Sequence, residues 1–219
     1  MKLIELSKDN SLMNHFIAEL RDINIQNDRM RFRRNLERIG EVAALEISRK
    51  LPFETRDVQT PLGISTSRVL KEQPVLATIL RAGLPLHNGM LNYFDRADNA
   101  FISAYRKHHP DGSFEISLEY LSCPDLRNRI VILSDPMLAT GASLVKAIHY
   151  LREEGPFAAI HVVVAIACSI GIEYVLREEP QITLWCGAID EELTAKSYIV
   201  PGLGDAGDLA FGKIGRAHV

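Results

Sequence analysis

Five short apolar runs recur along the chain after Pro61, at 75–80, 100–105, 130–134, 160–167 and 182–185. Segments with helical spacing, at 143–154 and 172–179, each follow one run and precede the next. Short β-rich runs that alternate with helical segments read as strands, and strands joined by helical crossovers pair in parallel. The pattern predicts an α/β fold with a central, mainly parallel sheet flanked by helices. Ahead of it, between 28 and 50, Phe32, Leu36, Ile39, Ala43 and Ile47 recur at steps of three and four among Arg, Glu and Lys. That spacing predicts one long amphipathic helix within an N-terminal helical segment, 1–55. Between 105 and 130 helical spacing is missing, and two candidate strands beyond the turn-forming Pro110-Asp111-Gly112, one of them 113–120, predict a β-hairpin or arm over 106–129. No repeat, low-complexity tract or linker interrupts the chain, so the expectation is a single domain, 1–219.

Hydrophobic residues make up 47% of the chain and charged residues 24%, which excludes disordered, collagen-like and disulfide-framework proteins. A formal charge of -3 lacks the basic surplus of a general nucleic-acid or membrane-surface binder, although it leaves a local basic patch open. Cys123, Cys168 and Cys186 are odd in number and lack C-x-x-C spacing, so reduced thiols in a cytoplasmic protein are expected. Charge interrupts the first ten residues before a leader core could form. The longest apolar stretch, 162–168, is far short of the roughly 20 residues that a membrane span needs.

The most informative stretch follows the third run. Ile130-Val-Ile-Leu-Ser134 leads into Asp135-Pro136-Met137-Leu138-Ala139-Thr140-Gly141-Ala142-Ser143, and then Leu144, Ala147, Ile148 and Leu151 recur with helical spacing. A strand, a short loop of small residues and a helix start bring backbone N–H groups and the positive end of a helix dipole to one point, a cradle for phosphate. Thr140 and Ser143 add hydroxyls, and Gly141 permits close approach of a ligand. The residues alone leave this reading and a plain capped helix, with Asp135 or Thr140 as the cap, equally open. A nucleoside-triphosphate P-loop is excluded, because no Gly-x-x-x-x-Gly-Lys-[Ser/Thr] occurs.

Two further strings stand out, Ile79-Leu80-Arg81-Ala82-Gly83-Leu84 and Tyr198-Ile199-Val200-Pro201-Gly202-Leu203-Gly204-Asp205-Ala206-Gly207-Asp208. The second contains Gly-x-Gly-x-x-Gly, but a dinucleotide fold needs a strand before it, a helix after it and an acidic residue about 20 positions on. Only 12 residues follow Gly207, and Gly212 and Gly215 are among them, so no Rossmann unit is expected. With the stretch 134–143, the two strings resemble, in order and spacing across most of the chain, the uracil phosphoribosyltransferase family. The Asp-Pro-Met-Leu-Ala-Thr-Gly form is the family's phosphoribosyl-pyrophosphate (PRPP) loop. Two departures occur: Ala142 stands where a second glycine is usual, and Ser134 where an aliphatic residue is commoner.

The resemblance implies a phosphoribosyltransferase-like fold and transfer of a phosphoribosyl group from PRPP to N1 of uracil, giving UMP and pyrophosphate. It implies that Arg81, Arg106, Asp135, Pro136, Met137, Leu138, Ala139, Thr140, Gly141, Ala142, Ser143 and Asp205 bind PRPP. Ile199, Gly204, Asp205 and Ala206 would contact uracil from a loop over 197–212, and Arg106 and Asp205 would be the catalytic residues. Mg2+ is the expected cofactor, carried by PRPP with no direct protein ligand assigned. A homo-oligomer, dimer or tetramer, is expected, with GTP admitted as an effector. Two alternatives stay open at this point: a protein of the same fold that binds RNA as a regulator, and a transferase for another base.

Other candidates carry no such role. His108 and His109 are adjacent on an extended segment and point to opposite faces, so they cannot share one ion. His161, alone among valines, reads as a strand residue with a local hydrogen bond, and Trp185 as core or interface.

Overall fold

The computed structural model describes residues 2–108 and 114–213, with side chains given outside 104–119. In chain order the first half comprises β1 (Lys2–Glu5), α1 (Leu12–Arg21), α2 (Arg29–Ser48), β2 (Phe53–Thr60), β3 (Gly63–Leu70), β4 (Val75–Leu80), α3 (Leu84–Leu91), β5 (Asp98–His108) and β6 (Phe114–Ser122). The second half comprises β7 (Ile130–Ser134), β8 (Met137–Leu138), α4 (Ala142–Glu153), β9 (Ala159–Cys168), α5 (Ser169–Glu178), β10 (Thr183–Asp190), β11 (Glu192–Leu193), β12 (Ile199–Val200) and α6 (Ala206–Phe211).

The main sheet runs β1-β10-β9-β7-β4-β5-β6, with β8 joining β9. Its pairs are parallel except β5 with β6, an antiparallel pair in which one strand precedes the expected turn and only one follows it. The expected turn at Pro110-Asp111-Gly112 lies outside the described residues, as do His109 and the side chains of Arg106 and His108.

Alternation along the strands feeds two cores. Leu76, Ile132, Val163, Ala165 and Trp185 point to the face covered by α1, α2 and α3, against Leu20, Phe32, Leu36, Ile39 and Leu86. Val75, Ala77, Val131, Leu133, Val162 and Val164 point to the other face, against Leu144, Ile148, Leu151 and Val175 of α4 and α5. A strand covered on both faces favours apolar residues at successive positions, which is why these runs are mostly apolar in the sequence. The helix starts are set locally: Ser11 and Asn14 form a reciprocal cap on α1, and Asp28 accepts from the Arg31 N–H on α2. His161 is buried and accepts a hydrogen bond from Trp185 Nε1 at 3.2 Å, with burial holding its pKa down to about 4. No helix among the described residues is long and apolar enough to cross a membrane.

Three features correct the sequence reading. The segment 1–55 is not wholly helical: β1 forms an edge of the main sheet beside β10, and β2 begins at Phe53. β2 and β3 form a separate antiparallel hairpin, in register from Phe53 opposite Leu70 to Thr60 opposite Gly63. The stretch after β7 is not a loop throughout, because Met137 and Leu138 return to pair with Ile166 and Ala167.

α4 is fixed against α5 by an ion pair at its far end. Glu179 is 1% exposed and receives two hydrogen bonds from the Arg152 guanidinium, with His149 Nε2 3.0 Å away. Arg152→Ala would strand this carboxylate. Removing one partner of a fully buried pair costs about 3–5 kcal/mol, and partial exposure of Arg152 together with the remaining His149 contact reduces the expected loss to about 2 kcal/mol. Urea unfolding of the variant against the parent protein measures it.

Candidate active site

The carboxyl ends of β4 and β7 open into one cleft of about 560 Å³, walled on the other side by the segment around β12 and the start of α6. Binding at the carboxyl edge is the rule for open α/β sheets. Of the residues predicted from sequence, Arg81, Asp135, Pro136, Met137, Leu138, Ala139, Thr140, Gly141, Ser143, Ile199, Gly204, Asp205 and Ala206 all line it. Ala142 is not part of the lining, and the side chain of Arg106 is outside the described residues.

The first wall is a broken ladder. β7 pairs with β9 as far as Ser134 opposite Val163, and the Asp135 N–H still donates to Val163 O at 3.1 Å. Pairing resumes when Pro136 O accepts from the Ala165 and Ile166 N–H groups, at 3.1 and 3.0 Å. Asp135 thus sits at the interruption, rigidly held by its neighbours on both sides. Its carboxylate accepts only a long bond, 3.5 Å, from the Met137 N–H, and burial pushes its pKa up to about 7.

The chain then turns at Gly141, whose φ of +85° is the left-handed conformation that glycine adopts without penalty. Gly141 is the N-cap of α4, and neither Asp135 nor Thr140 caps the helix. Thr140 Oγ1 receives the Ala142 N–H at a long 3.5 Å. The first turn of α4 therefore reaches the cleft wall, at Gly141, Ser143 and Leu144, with its N-cap residue making no side-chain bond and only the long Thr140 contact on its first N–H. An anion fits that position.

The opposite wall carries charge of both signs. Asp205 is the N-cap of α6 and accepts from the Asp208 N–H at 2.9 Å, while Arg81 Nη2 donates to Asp208 Oδ1 at 3.1 Å. Lys196 and Lys213 complete the cationic part of the lining. Sequence reasoning passed over Lys196 and Lys213, and took Ser197, Tyr198, Gly207 and Asp208 only as parts of the 197–212 loop without a role of their own, although Asp205-x-x-Asp208 was readable as a helix cap. Among the described residues, no cluster of three or more His, Cys, Asp or Glu side chains could hold a metal ion.

A model of the uracil phosphoribosyltransferase family matches residues 7–213. The chain belongs to the uracil phosphoribosyltransferase family. A uracil phosphoribosyltransferase of Porphyromonas gingivalis is 50% identical over 214 residues, spanning 97% of this chain and 99% of the relative. The solved structure of a protein from Aquifex aeolicus matches with a TM-score of 0.86 and 30% identity, over 96% of this chain and 98% of that one. A purine phosphoribosyltransferase from Pyrococcus horikoshii shares the fold alone, with a TM-score of 0.50 and 12% identity over 72% of this chain and 83% of that one.

Both departures from the usual uracil phosphoribosyltransferase motif have a structural account. Ser134 is fully buried, but its hydroxyl donates to Ala77 O at 3.2 Å across to β4, so the polar group is satisfied inside the sheet. Ala142 is a residue of α4 and is not among the positive-φ residues, so the second glycine is not needed for backbone conformation.

Proposed function

We propose that the chain transfers the 5-phosphoribosyl group of PRPP to N1 of uracil, forming UMP and releasing pyrophosphate. The observation that carries this is the single cleft, which joins the 135–143 loop to the Ile199–Ala206 wall in a member of this family. In the reaction the bond from ribose C1 to pyrophosphate breaks with its electron pair going to pyrophosphate, the bond from C1 to N1 forms, and the uracil N1 proton passes to the departing pyrophosphate or to water. Positive charge develops on the ribose and negative charge on the leaving group, so catalysis consists of holding both reactants in line and matching those charges.

The start of α4 with Thr140 and Ser143 would hold the 5′-phosphate, and Asp135 would accept hydrogen bonds from the ribose hydroxyls. Arg81 would release Asp208 and turn its planar guanidinium to pyrophosphate, a bidentate match. Arg106 lies on β5 three residues beyond Ser103, the partner of Leu80, which puts its backbone at the same carboxyl edge. Asp205 would link the two substrates, with Ile199, Gly204 and Ala206 presenting main-chain groups to the base. The lining holds the Asp135 and Asp205 carboxylates, oxygen donors of the kind that would supplement the phosphate oxygens around a Mg2+ ion arriving on pyrophosphate. Bound there, Mg2+ would neutralise leaving-group charge.

Three free cysteines support a reducing, cytoplasmic setting. The exposed apolar residues Val58, Leu62 and Ile64 on the β2–β3 hairpin support self-association into a dimer or tetramer. GTP stays a proposed effector on the family resemblance alone. No feature of the cleft favours an RNA-binding role or a purine substrate.

The test is a panel of bases with PRPP and Mg2+. Uracil should react, and cytosine, whose exocyclic amine reverses the donor and acceptor order at one edge, should be rejected. Reaction with hypoxanthine and not uracil would overturn the assignment. Arg106→Ala should lower kcat by about tenfold, the loss of one charge-assisted hydrogen bond that strengthens as the leaving group charges. Steady-state kinetics separate this from a rise in the KM for PRPP alone.

A further inference from the structure

Behind the uracil side of the cleft, one ion pair holds both polar groups of a single residue. Arg21 ends α1 and Asp190 ends β10, 169 positions apart in the chain. Their side chains meet through two parallel hydrogen bonds, Nη1 to Oδ2 and Nη2 to Oδ1, each 2.8 Å. The same Arg21 Nη1 donates to Gly202 O at 3.0 Å, and the same Asp190 Oδ2 accepts from the Gly202 N–H at 2.9 Å. Asp190 is 7% exposed, and neither residue lines the cleft.

The residue gripped in this way is the pivot of the base-facing wall. Gly202 is buried at a φ of +55°, and a Cβ on it would lie 2.2 Å from Ile199 O. It stands three residues after Ile199 and two before Gly204. Short turns of small residues have many backbone states, and a turn left free would have to be ordered when the base binds. A bidentate guanidinium–carboxylate pair has a fixed plane, so it can hold a peptide group in a fixed orientation.

We propose that Arg21 and Asp190 are positioning residues for base recognition: through Gly202 they fix the main-chain groups of Ile199 and of Gly204 to Ala206 against which the base is read. The inference rests on the proposed assignment of those groups to uracil. The groups proposed for PRPP have supports besides this clamp, which makes no hydrogen-bond contact with the 135–143 loop. The 135–143 loop is held by β9 and α4, the Asp205 carboxylate is held at the start of α6 by the Asp208 N–H, and α6 is tied down by Arg33 Nη1 on Ala210 O at 2.7 Å.

The experiment compares wild type, Arg21→Gln and Arg21→Lys, measuring uracil KM, kcat and, by calorimetry without uracil, the Kd for PRPP with Mg2+. Arg21→Gln should raise uracil KM by about tenfold, since a small displacement of recognition groups is enough to lose them. Arg21→Lys keeps the charge but not the planar fork, and should raise it by about threefold, with PRPP Kd within about twofold of wild type in both variants. Should Arg21→Gln fail to fold, the Arg21→Lys result decides. Unchanged uracil KM, or parallel weakening of uracil and PRPP, would overturn the proposal, as would failure of both variants to bind PRPP, which would make the pair a stability element. Wild-type protein that forms no UMP would defeat the functional reading itself and the inference with it; active wild type with an unaffected uracil KM in the variants defeats the inference alone.

Discussion

Gly141→Ala is expected to raise the KM for PRPP by more than about tenfold, while Ala142→Gly, one residue further on, changes it by less than about twofold. The contrast follows from backbone geometry. Gly141 holds a φ of +85°, where an L-residue costs about 1–2 kcal/mol. Its new Cβ would also lie 2.6 Å from Val175 Cγ2 and 3.0 Å from both Gly171 O and Tyr174 Cδ1 on α5. The loop would have to move off α5, and the N–H groups proposed to hold the 5′-phosphate would move with it. Ala142 is already a residue of α4 and is not among the positive-φ residues, so a glycine there only adds backbone freedom. Steady-state kinetics of the two variants check the pair, and similar PRPP KM values in both would contradict this account of the loop.

Asp135→Asn should lower kcat by about 100-fold, the scale of losing one preorganised charge beside a developing ion, and at the same time raise Tm at pH 8. The sign of the second effect follows from burial. In the folded protein the carboxyl pKa is raised from 3.8 to about 7, so the folded state keeps its proton after the unfolded chain has released one. The carboxyl group costs no stability below about pH 4, and stability falls as pH rises from there through about 7, with the full penalty above it. Asparagine does not titrate, so the gain in Tm should be present at pH 8 and vanish near pH 4. Calorimetric melts across that range measure it in ligand-free protein. A variant that is less active but no more stable at pH 8 would show that the carboxylate is not strained in the empty cleft. A group kept at such a cost in stability is characteristic of a functional site.

The parts of the fold that could be read from the sequence are those where one physical signal dominates. β4, β7 and β9 are buried on both faces and so appear as mostly apolar runs, and α2 shows its spacing because one side is solvated. The β2–β3 hairpin gave no such signal, because Phe-Glu-Thr-Arg-Asp-Val-Gln-Thr has no buried face to create an alternation. α3 was not delimited for the opposite reason: Pro85, Leu86, His87, Gly89 and Met90 are all buried, so its pattern has no polar stripe. β8 is two residues long and is defined by its partner β9, not by its own composition.

In the site, the contiguous strings were legible and the long-range contacts were not. Asp135 to Ser143 and Gly204 to Ala206 are local sequence, read as motifs. Arg81 on Asp208 spans 127 positions and Arg21 on Asp190 spans 169, and no local pattern in one chain reports such pairs. The cationic rim at Lys196 and Lys213 is assembled in the same way, from residues that look like ordinary solvated lysines until the chain folds.

Phosphorus NMR of one reaction tests the central claim most directly, because it follows both phosphate-bearing ends of PRPP together. With protein, PRPP, uracil and Mg2+, the PRPP signals should be replaced by those of UMP and free pyrophosphate in equal amounts, and omission of uracil should leave PRPP intact. Pyrophosphate released without UMP, or PRPP unchanged in the presence of folded protein and uracil, would contradict it.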